Sequence, residues 1–170
     1  MSHPLWAPWR MEYILGPKGP ADTCIFCGVE GAPDEERRDR LVVASTPRAF
    51  VILNRYPFAA GHILVVPHAH VASLEDLSLE DHDALFHLVR ASSTRLKRAL
   101  KAEGLNIGLN LGGVAGAGVA AHLHVHVVPR WSGDTNFMPV LADTRVIPKA
   151  LEATRDHLER HFADLSEDAS

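Results

Sequence analysis

Three histidines occupy alternate positions in the segment HLHVHVV, residues 122–128: His122, His124 and His126. In a β-strand alternate side chains point to the same face of the sheet. The pattern therefore predicts a strand that carries a row of imidazoles on one face and aliphatic side chains on the other.

Neighbouring imidazoles in such a row lie roughly 6.8 Å apart along the strand, so two of them can contact one ligand group, whereas the first and third are too distant to bind one ion. Imidazole can serve as nucleophile or acid near neutral pH. Arg130 adds a positive charge just beyond the segment. The pattern favours phosphoryl chemistry, with a polar face of an edge strand, or metal storage, as alternatives.

A pair of cysteines, Cys24 and Cys27 in CIFC, has the spacing found in tetrahedral zinc sites. Two further ligands are needed, and the segment GHILVVPHAH offers His62, His68 and His70. A Cys₂His₂ centre is predicted from Cys24, Cys27, His70 and His122. A redox dithiol is the alternative, but it would require a helix start after a strand, and no βαβ pattern surrounds the pair.

The loop GGVAGAGVAA, residues 112–121, contains a GxGxxA string. A dinucleotide-binding fingerprint must open a helix, and here the histidine segment follows at once. Glycine lets backbone N–H groups approach phosphate oxygens, so the loop is either a phosphate-binding turn or a plain hairpin loop.

Hydrophobic periodicity predicts an α+β fold with a mainly antiparallel sheet, one long central helix and a C-terminal helix. The long helix is expected to begin at Ser78, with Asp81 completing a capping box, and to end at Gly104; a last helix is expected near Pro148. Residues 33–40 are expected to form a charged loop or short turn. The predicted strands are 41–44, 50–54, 62–66, 105–111 and the histidine segment.

Composition sets broad limits on the class of protein. With 170 residues, of which 46% are hydrophobic, the chain is predicted to form a single domain, residues 1–170. A net charge of -4 without a basic run argues against a nucleic acid polymer as partner. No stretch has the length and apolarity of a signal peptide or membrane span, so no membrane partner and a cytoplasmic location are expected.

An N-terminal arm, residues 1–23, carries Trp6, Trp9 and Tyr13 among prolines. Exposed aromatic side chains would be costly, so the arm is expected to pack across a dimer partner or along the rim of a ligand cleft. Packing against the core of its own subunit is the alternative.

Together these segments resemble the histidine triad (HIT) family, whose signature alternates histidine with apolar residues as HLHVHVV does. The resemblance also rests on CIFC, NRYP, GHILVVPHAH, GLNLGG and VVPRWSGDTNF. It is strongest to the branch of bacterial diadenosine tetraphosphate phosphorylases. This implies a homodimer that binds a purine nucleotide beside the triad and reacts through a nucleotidyl-histidine intermediate.

The resemblance also implies roles for single residues. His124 would be the nucleophile that attacks the α-phosphorus, His126 would donate to the bridging or leaving oxygen, and His122 would bind structural zinc. Magnesium, if used, would arrive with the substrate. The nucleotide-binding positions implied are Asn54, His62, Asn110, Gly116, Gly118 and Trp131.

One departure from the family lies in the loop before the triad. Many relatives carry Ser, Thr or Gln where this chain has GAGVAA, so Gly118 can offer a phosphate its backbone N–H alone. Phosphorolysis and hydrolysis are both compatible with the residues. A nucleoside phosphoramidase and a zinc-stabilised, purine-nucleotide-binding regulatory module without turnover are the alternative functions.

Overall fold

A five-stranded antiparallel sheet lies at the centre of the fold in the computed structural model, which describes residues 24–134 and 151–167. The strands lie in the order β1-β2-β3-β5-β4, with every neighbouring pair antiparallel. In chain order they are β1 (Val42–Ser45), β2 (Ala49–Leu53), β3 (Ile63–Pro67), β4 (Gly104–Leu109) and β5 (Val125–Arg130).

Three helices accompany this sheet in the described residues: α1 (Asp34–Asp39), α2 (Leu79–Leu100) and α3 (Leu151–Glu167). Helix α2 packs on β2, β3 and β5 and contacts α3, which covers β1. The apolar faces of the two long helices enter the core, where Leu85, Leu96, Leu158 and Phe162 are fully buried. The predicted mainly antiparallel α+β architecture is confirmed. No described helix has the length and apolarity to cross a membrane.

Helix α2 begins as predicted and ends earlier. Ser78 is the N-cap, and its hydroxyl oxygen accepts a hydrogen bond from the Asp81 backbone N–H at 3.1 Å. The helix ends at Leu100 because Lys101 takes a left-handed conformation, with φ 51°. The prediction that Gly104 ends the helix is therefore wrong: Gly104 already begins β4.

Residues 34–39 form a short helix where a loop or turn was predicted. Acidic side chains occupy its first turn and Arg37 and Arg38 its last, which suits the helix dipole. None of its residues is buried, so hydrophobic periodicity carried no signal. The apolar residues that helical periodicity predicts as the inward stripe of the last helix face the core: Leu158 and Phe162 are buried in it, and Leu151 and Leu165 pack against it. Pro148 and the arm, residues 1–23, lie outside the described residues.

The histidine segment enters its strand later than predicted. Strand β5 starts at Val125, so His126 lies within it, while His122 and His124 precede it in irregular backbone. Both faces of the segment are also enclosed, since His122 and His124 are 1% and 6% exposed.

Local hydrogen bonds explain this late start. The Leu123 N–H donates to the carbonyl of Val71 at 2.7 Å, which takes the backbone away from the sheet. The Pro67 carbonyl at the end of β3 accepts a hydrogen bond from His122 Nε2 at 2.9 Å, and Pro67 has no N–H of its own. The ladder between β3 and β5 accordingly stops at the Val65–Val125 pair.

The hairpin between β2 and β3 depends on Gly61. This residue has φ +78°, and a Cβ atom there would lie 2.2 Å from Leu100 Cδ1. We expect Gly61→Ala to lower the free energy of unfolding by roughly 2–4 kcal/mol, because backbone strain and overlap with α2 add. Denaturant unfolding measures the change. Gly31→Ala is the control, since a Cβ atom there meets nothing within 4 Å; equal losses in both variants would contradict the prediction.

Candidate functional site

The four predicted metal ligands lie together. Their ligand atoms are all within 4.8 Å of one another. Nδ1 of His122 lies 3.3 Å from Cys24 Sγ and 3.8 Å from Cys27 Sγ, and His70 Nδ1 lies 3.2 Å from Cys27 Sγ. A tetrahedral zinc ion places its sulfur and nitrogen ligands about 3.6 Å apart, so this donor set fits such an ion.

Neighbouring groups orient these ligands. His122 Nε2 donates to the Pro67 carbonyl, which leaves the Nδ1 lone pair directed at the cysteines. Arg40 donates to the carbonyls of Ile25 and Cys27 at 2.7 Å each, and this holds the cysteine turn in place. Burial and the adjacent Cys24 thiol raise the pKa of Cys27 in the metal-free chain; a bound cation has the opposite effect on a thiol.

The middle histidine, His124, is held in one orientation. Its Nδ1–H donates to the carbonyl of His122 at 2.8 Å, because a carbonyl oxygen can act only as acceptor. Phe26 packs against the rings of both His122 and His124, at centroid distances of 5.4 and 5.3 Å. Burial lowers the pKa of His124, partly opposed by this hydrogen bond. The ring is thus neutral at pH 7, with its lone pair on Nε2, which is what a nucleophile requires.

His126 forms a second group with His62 and Phe58. His62 Nε2 lies 3.0 Å from His126 Nδ1, and the Phe58 ring stacks on His62 at 4.9 Å. His126 and His124 have ring centroids 5.1 Å apart. Burial first, and the neighbouring imidazoles second, lower the pKa of His62 to about 3 and that of His126 to about 4. Two neutral imidazoles therefore stand beside the candidate nucleophile.

Asn54 joins this group through the hairpin. Its Nδ2 lies 3.3 Å from His62 Nδ1, and its Oδ1 accepts the Tyr56 N–H at 3.0 Å. Since the Tyr56 N–H can only donate, it fixes which end of the amide faces His62. The predicted residues Asn54 and His62 are thus brought next to the histidine segment.

The remaining predicted nucleotide-binding residues lie at three places. Asn110 follows β4, whose last pair joins Leu109 to Val125, so its register position is next to that of His124. Gly116 and Gly118 lie in the loop after a 3-10 turn at Gly113–Ala115.

Trp131 lies at the end of α2, where its indole N–H donates to the carbonyls of Leu100 and Lys101 at 3.3 and 3.1 Å. The described hydrogen bonds of the indole thus connect it to the helix terminus rather than to the histidines. This indole supports the carbonyls that the early end of α2 leaves unpaired within the helix.

Sequence reasoning missed three residues of the site. Phe26 contacts the rings of both His122 and His124, Phe58 stacks on His62, and Gly108 pairs across the sheet with His126. A Cβ atom at Gly108 would meet nothing within 4 Å, so the sheet beside His126 is open there. No periodic pattern marked the two aromatic residues, because both lie in turns. A glycine inside a strand is a signal that could have been used, since it often marks a place where a ligand or another backbone approaches closely.

The lowered pKa values predict sensitivity to acid. As the pH falls, His62 and His126 take up a proton near pH 6.5 in the unfolded chain. In the folded protein they take it up only near pH 3 to 4, because their pKa values are lowered there. Between these limits the unfolded state binds more protons, so stability is full above pH 6.5 and is lost as the pH falls toward 4. Each proton changes the free energy of unfolding by about 1.4 kcal/mol per pH unit.

Thermal unfolding of the wild type and of His62→Gln from pH 7 to pH 4 measures this effect. We expect a shallower decline in the variant. Both proteins retain the metal ligands, so their difference reports the contribution of His62. Parallel curves would contradict the prediction.

The chain has alternating histidines that lead into a strand of an antiparallel sheet, which is the feature of the class of histidine triad proteins. In this chain they lie beside a Cys₂His₂ cluster. Residues 35–133 match the HIT domain. The chain belongs to the HIT domain family.

Individual proteins agree with this assignment. The chain is 39% identical over 166 residues to AP-4-A phosphorylase of Mycobacterium tuberculosis, covering 94% of this chain and 84% of that protein. Its fold is similar to a zinc-bound histidine triad family protein from Mycobacterium smegmatis, with TM-score 0.66, 28% identity and coverage of 86% of this chain and 97% of the other. A hypothetical histidine triad nucleotide-binding protein from Sulfolobus tokodaii has TM-score 0.66 and 28% identity, covering 84% and 93%.

Proposed function

We propose that this protein is an enzyme that cleaves a dinucleoside polyphosphate of the diadenosine tetraphosphate type through a nucleotidyl-histidine intermediate on His124. The observation that carries the proposal is the fixed ring of His124, whose Nδ1–H is bound to a backbone carbonyl. Its Nε2 lone pair is thereby directed away from that carbonyl, next to His126. The similarity to AP-4-A phosphorylase over 94% of the chain supports the substrate class.

The reaction consists of two displacements at phosphorus. His124 Nε2 bonds to the α-phosphorus, the bridging P–O bond breaks, and its electron pair leaves with ATP. Orthophosphate then attacks the same phosphorus, the P–N bond breaks and ADP leaves; water in place of orthophosphate would yield AMP. Such chemistry depends on positioning and on hydrogen-bond donors, which His126 and backbone N–H groups supply.

The nucleotide is proposed to bind between the hairpin and the glycine-rich loop. Asn54 would contact the ribose, with His62 lining the same pocket, while Asn110 and the backbone of Gly116 and Gly118 would contact phosphates. The positions of Asn54 and Asn110 on either side of the histidine segment support this placement. Trp131 is proposed as an edge residue of the pocket.

Zinc is the proposed occupant of the site formed by Cys24, Cys27, His70 and His122, with a structural role. A bound zinc ion would neutralise the two thiolates and connect the cysteine turn to the start of the histidine segment. Magnesium is proposed to enter with the substrate. Among the described residues, the group that can hold a metal contains no carboxylate, and Mg²⁺ prefers oxygen ligands, including substrate phosphates.

Product analysis tests the function. Purified protein is incubated with diadenosine tetraphosphate with and without orthophosphate, and the nucleotides are separated. ADP plus ATP in the presence of phosphate is the expected result. AMP plus ATP in both conditions would make the protein a hydrolase, turnover of adenosine phosphoramidate in preference would make it a phosphoramidase, and tight binding without turnover would make it a regulatory module.

A homodimer is also proposed, and the exposed edge of the sheet supports it. Strand β4 lies at this edge, and Ile107 within it is 50% exposed. Edge strands with exposed apolar side chains are sites of pairing between chains. Several expectations remain predictions: the single domain over residues 1–170, the packing of the arm, the cytoplasmic location, and the absence of membrane and nucleic acid partners.

The dimer is tested by Ile107→Lys, which we expect to shift the protein to a monomer in light scattering at micromolar concentration. Leu79→Lys serves as control, because Leu79 is 83% exposed at the start of α2, away from β4. A wild-type protein that is already monomeric, or an Ile107→Lys variant that stays dimeric, would contradict this interface.

A further inference from the structure

Two residues of the edge strand β4 share a face of the sheet with the reactive histidines. In the ladder between β4 and β5, Asn106 pairs with Val128 and Gly108 pairs with His126. Residues directly opposite each other in an antiparallel sheet place their side chains on the same face, and so do alternate residues of one strand. Asn106 and Gly108 therefore border the same surface as the ring of His126, on its β4 side.

A notch in this surface lies at Gly108. A Cβ atom at Gly108 would meet nothing within 4 Å, so no described side chain fills the space above this part of β4. Gly108 and Asn106 are both exposed. A glycine inside a strand often marks a place where a ligand approaches the backbone closely. The notch thus has room for a small second reactant beside His126.

Asn106 presents hydrogen-bond donors at one end of the notch. A terminal nitrogen of Arg130 donates to Asn106 Oδ1 at 3.0 Å, while the other guanidinium nitrogens of Arg130 donate to Asp134. A guanidinium can only donate, so this bond fixes which end of the amide is the oxygen. The two N–H groups of Asn106 Nδ2 then lie on the side away from Arg130, where they can bind an anion. The charge on Arg130 also polarises the amide, which strengthens these donors.

The reaction at His124 proceeds toward this notch. The Nδ1–H of His124 donates to the carbonyl of His122, so Nε2 points the other way, toward His126. In an in-line displacement the entering or leaving oxygen lies opposite this nitrogen, on the far side of phosphorus. The phosphate that carries this oxygen is therefore expected beside His126 and Gly108, with Asn106 as the next residue of β4 on the same face.

We propose that the notch formed by Gly108 and Asn106 is an acceptor subsite for orthophosphate, which attacks the nucleotidyl intermediate on His124. Because both displacements occur in line, this subsite holds the terminal phosphate of the leaving ATP in the first step and orthophosphate in the second. The inference rests on the proposed function for the reaction. It goes further by assigning the residues that select phosphate over water.

The second displacement balances without a base. An oxygen of hydrogen phosphate forms the new P–O bond, the P–N bond breaks, and its electron pair returns to His124 Nε2; the terminal phosphate of ADP keeps its proton. Water as acceptor must instead lose a proton. The neighbouring imidazoles are weak bases, because mainly burial lowers the pKa of His62 to about 3 and that of His126 to about 4. A bound orthophosphate is therefore the better acceptor at this site.

The ratio of ADP to AMP formed at a fixed orthophosphate concentration measures the subsite. Both products come from one intermediate, so the ratio does not depend on how tightly the dinucleotide binds. We expect Asn106→Leu to lower the ratio at least about tenfold, because it removes the donors to the anion. Gly108→Val should lower it at least as much, because the new side chain excludes phosphate and still admits water. Gly31→Val, in the exposed turn before α1, should keep the wild-type ratio.

An unchanged ratio in Asn106→Leu and Gly108→Val would overturn the subsite, even if both variants turn over more slowly, because such a loss reflects folding or dinucleotide binding. A wild type that forms AMP alone at high phosphate would also overturn it, although cleavage of the dinucleotide would then stand. If Gly108→Val does not fold, Asn106→Leu decides.

Binding of phosphate tests the subsite without turnover. Inorganic phosphate is titrated into the zinc-loaded full chain in the presence of AMP, and the side-chain amide of Asn106 is followed by proton–nitrogen NMR. We expect a saturable shift in the wild type and in Gly31→Val, and none in Gly108→Val. If the wild type does not cleave diadenosine tetraphosphate, the proposed function fails, and a saturable shift still supports the subsite. Absence of the shift in the wild type would overturn the subsite whether or not the protein is active.

Discussion

His124→Ala should lower kcat for diadenosine tetraphosphate by at least about a thousandfold, which is roughly 4 kcal/mol of activation free energy. The expected loss is large because the variant has no atom that can form the nucleotidyl intermediate. His124 is 6% exposed, so the truncation also leaves a small cavity. Steady-state kinetics with separated nucleotide products measure the loss.

His124→Gly with added imidazole distinguishes catalysis from packing. Free imidazole can occupy the vacated space and supply the missing nucleophile, so partial recovery of turnover is expected. His87→Ala, at an exposed position on α2, should retain wild-type activity. Activity of His124→Ala within tenfold of the wild type would contradict the role of His124 as nucleophile.

Removal of the metal should have the second largest effect, on stability. We expect one zinc ion per chain in wild-type protein purified without chelator, and none in Cys24→Ser. The variant should melt roughly 10 °C lower, because a structural zinc ion contributes several kcal/mol and a protein of this size loses about 2–4 °C per kcal/mol. Elemental analysis and thermal unfolding measure both quantities.

A chelator completes this experiment. It should lower the melting temperature of the wild type to that of Cys24→Ser and leave the variant unchanged, because both treatments remove the same ion. Once the ion is lost, kcat of the remaining folded protein should fall less than in His124→Ala. An unchanged melting temperature, or a disulfide between Cys24 and Cys27, would refute the structural zinc site.

Local sequence patterns were sufficient to predict the elements that depend on interactions between residues close together in the chain. The cap of α2 at Ser78 follows from a hydroxyl and an N–H three residues apart, and the inward stripe of α3 follows from helical periodicity. The grouping of the candidate metal ligands was also predictable, because two cysteines at this spacing together with nearby histidines are typical of zinc sites. Residue types alone therefore determined the α+β class and the two kinds of chemistry.

The tertiary structure decided where the histidine segment becomes a strand. Its alternation predicts a strand from His122, yet the Pro67 carbonyl bonds to the His122 ring and Val71 takes the Leu123 N–H. These partners are about fifty residues away in the chain, and no local pattern encodes such a competition for a carbonyl. The short helix at 34–39 was missed for a different reason: none of its residues is buried, so hydrophobic periodicity carried no signal.

The sequence by itself determined which groups can react: three imidazoles, two thiols and a hairpin that carries Asn54 and His62. The tertiary structure alone decided their protonation patterns. His124 and His126 have the same side chain two residues apart, and they differ in partner: Nδ1 of His124 faces a backbone carbonyl and Nδ1 of His126 faces Nε2 of His62. The hydrogen-bond partners of a side chain are brought together by folding, so identical residues in one motif receive different environments.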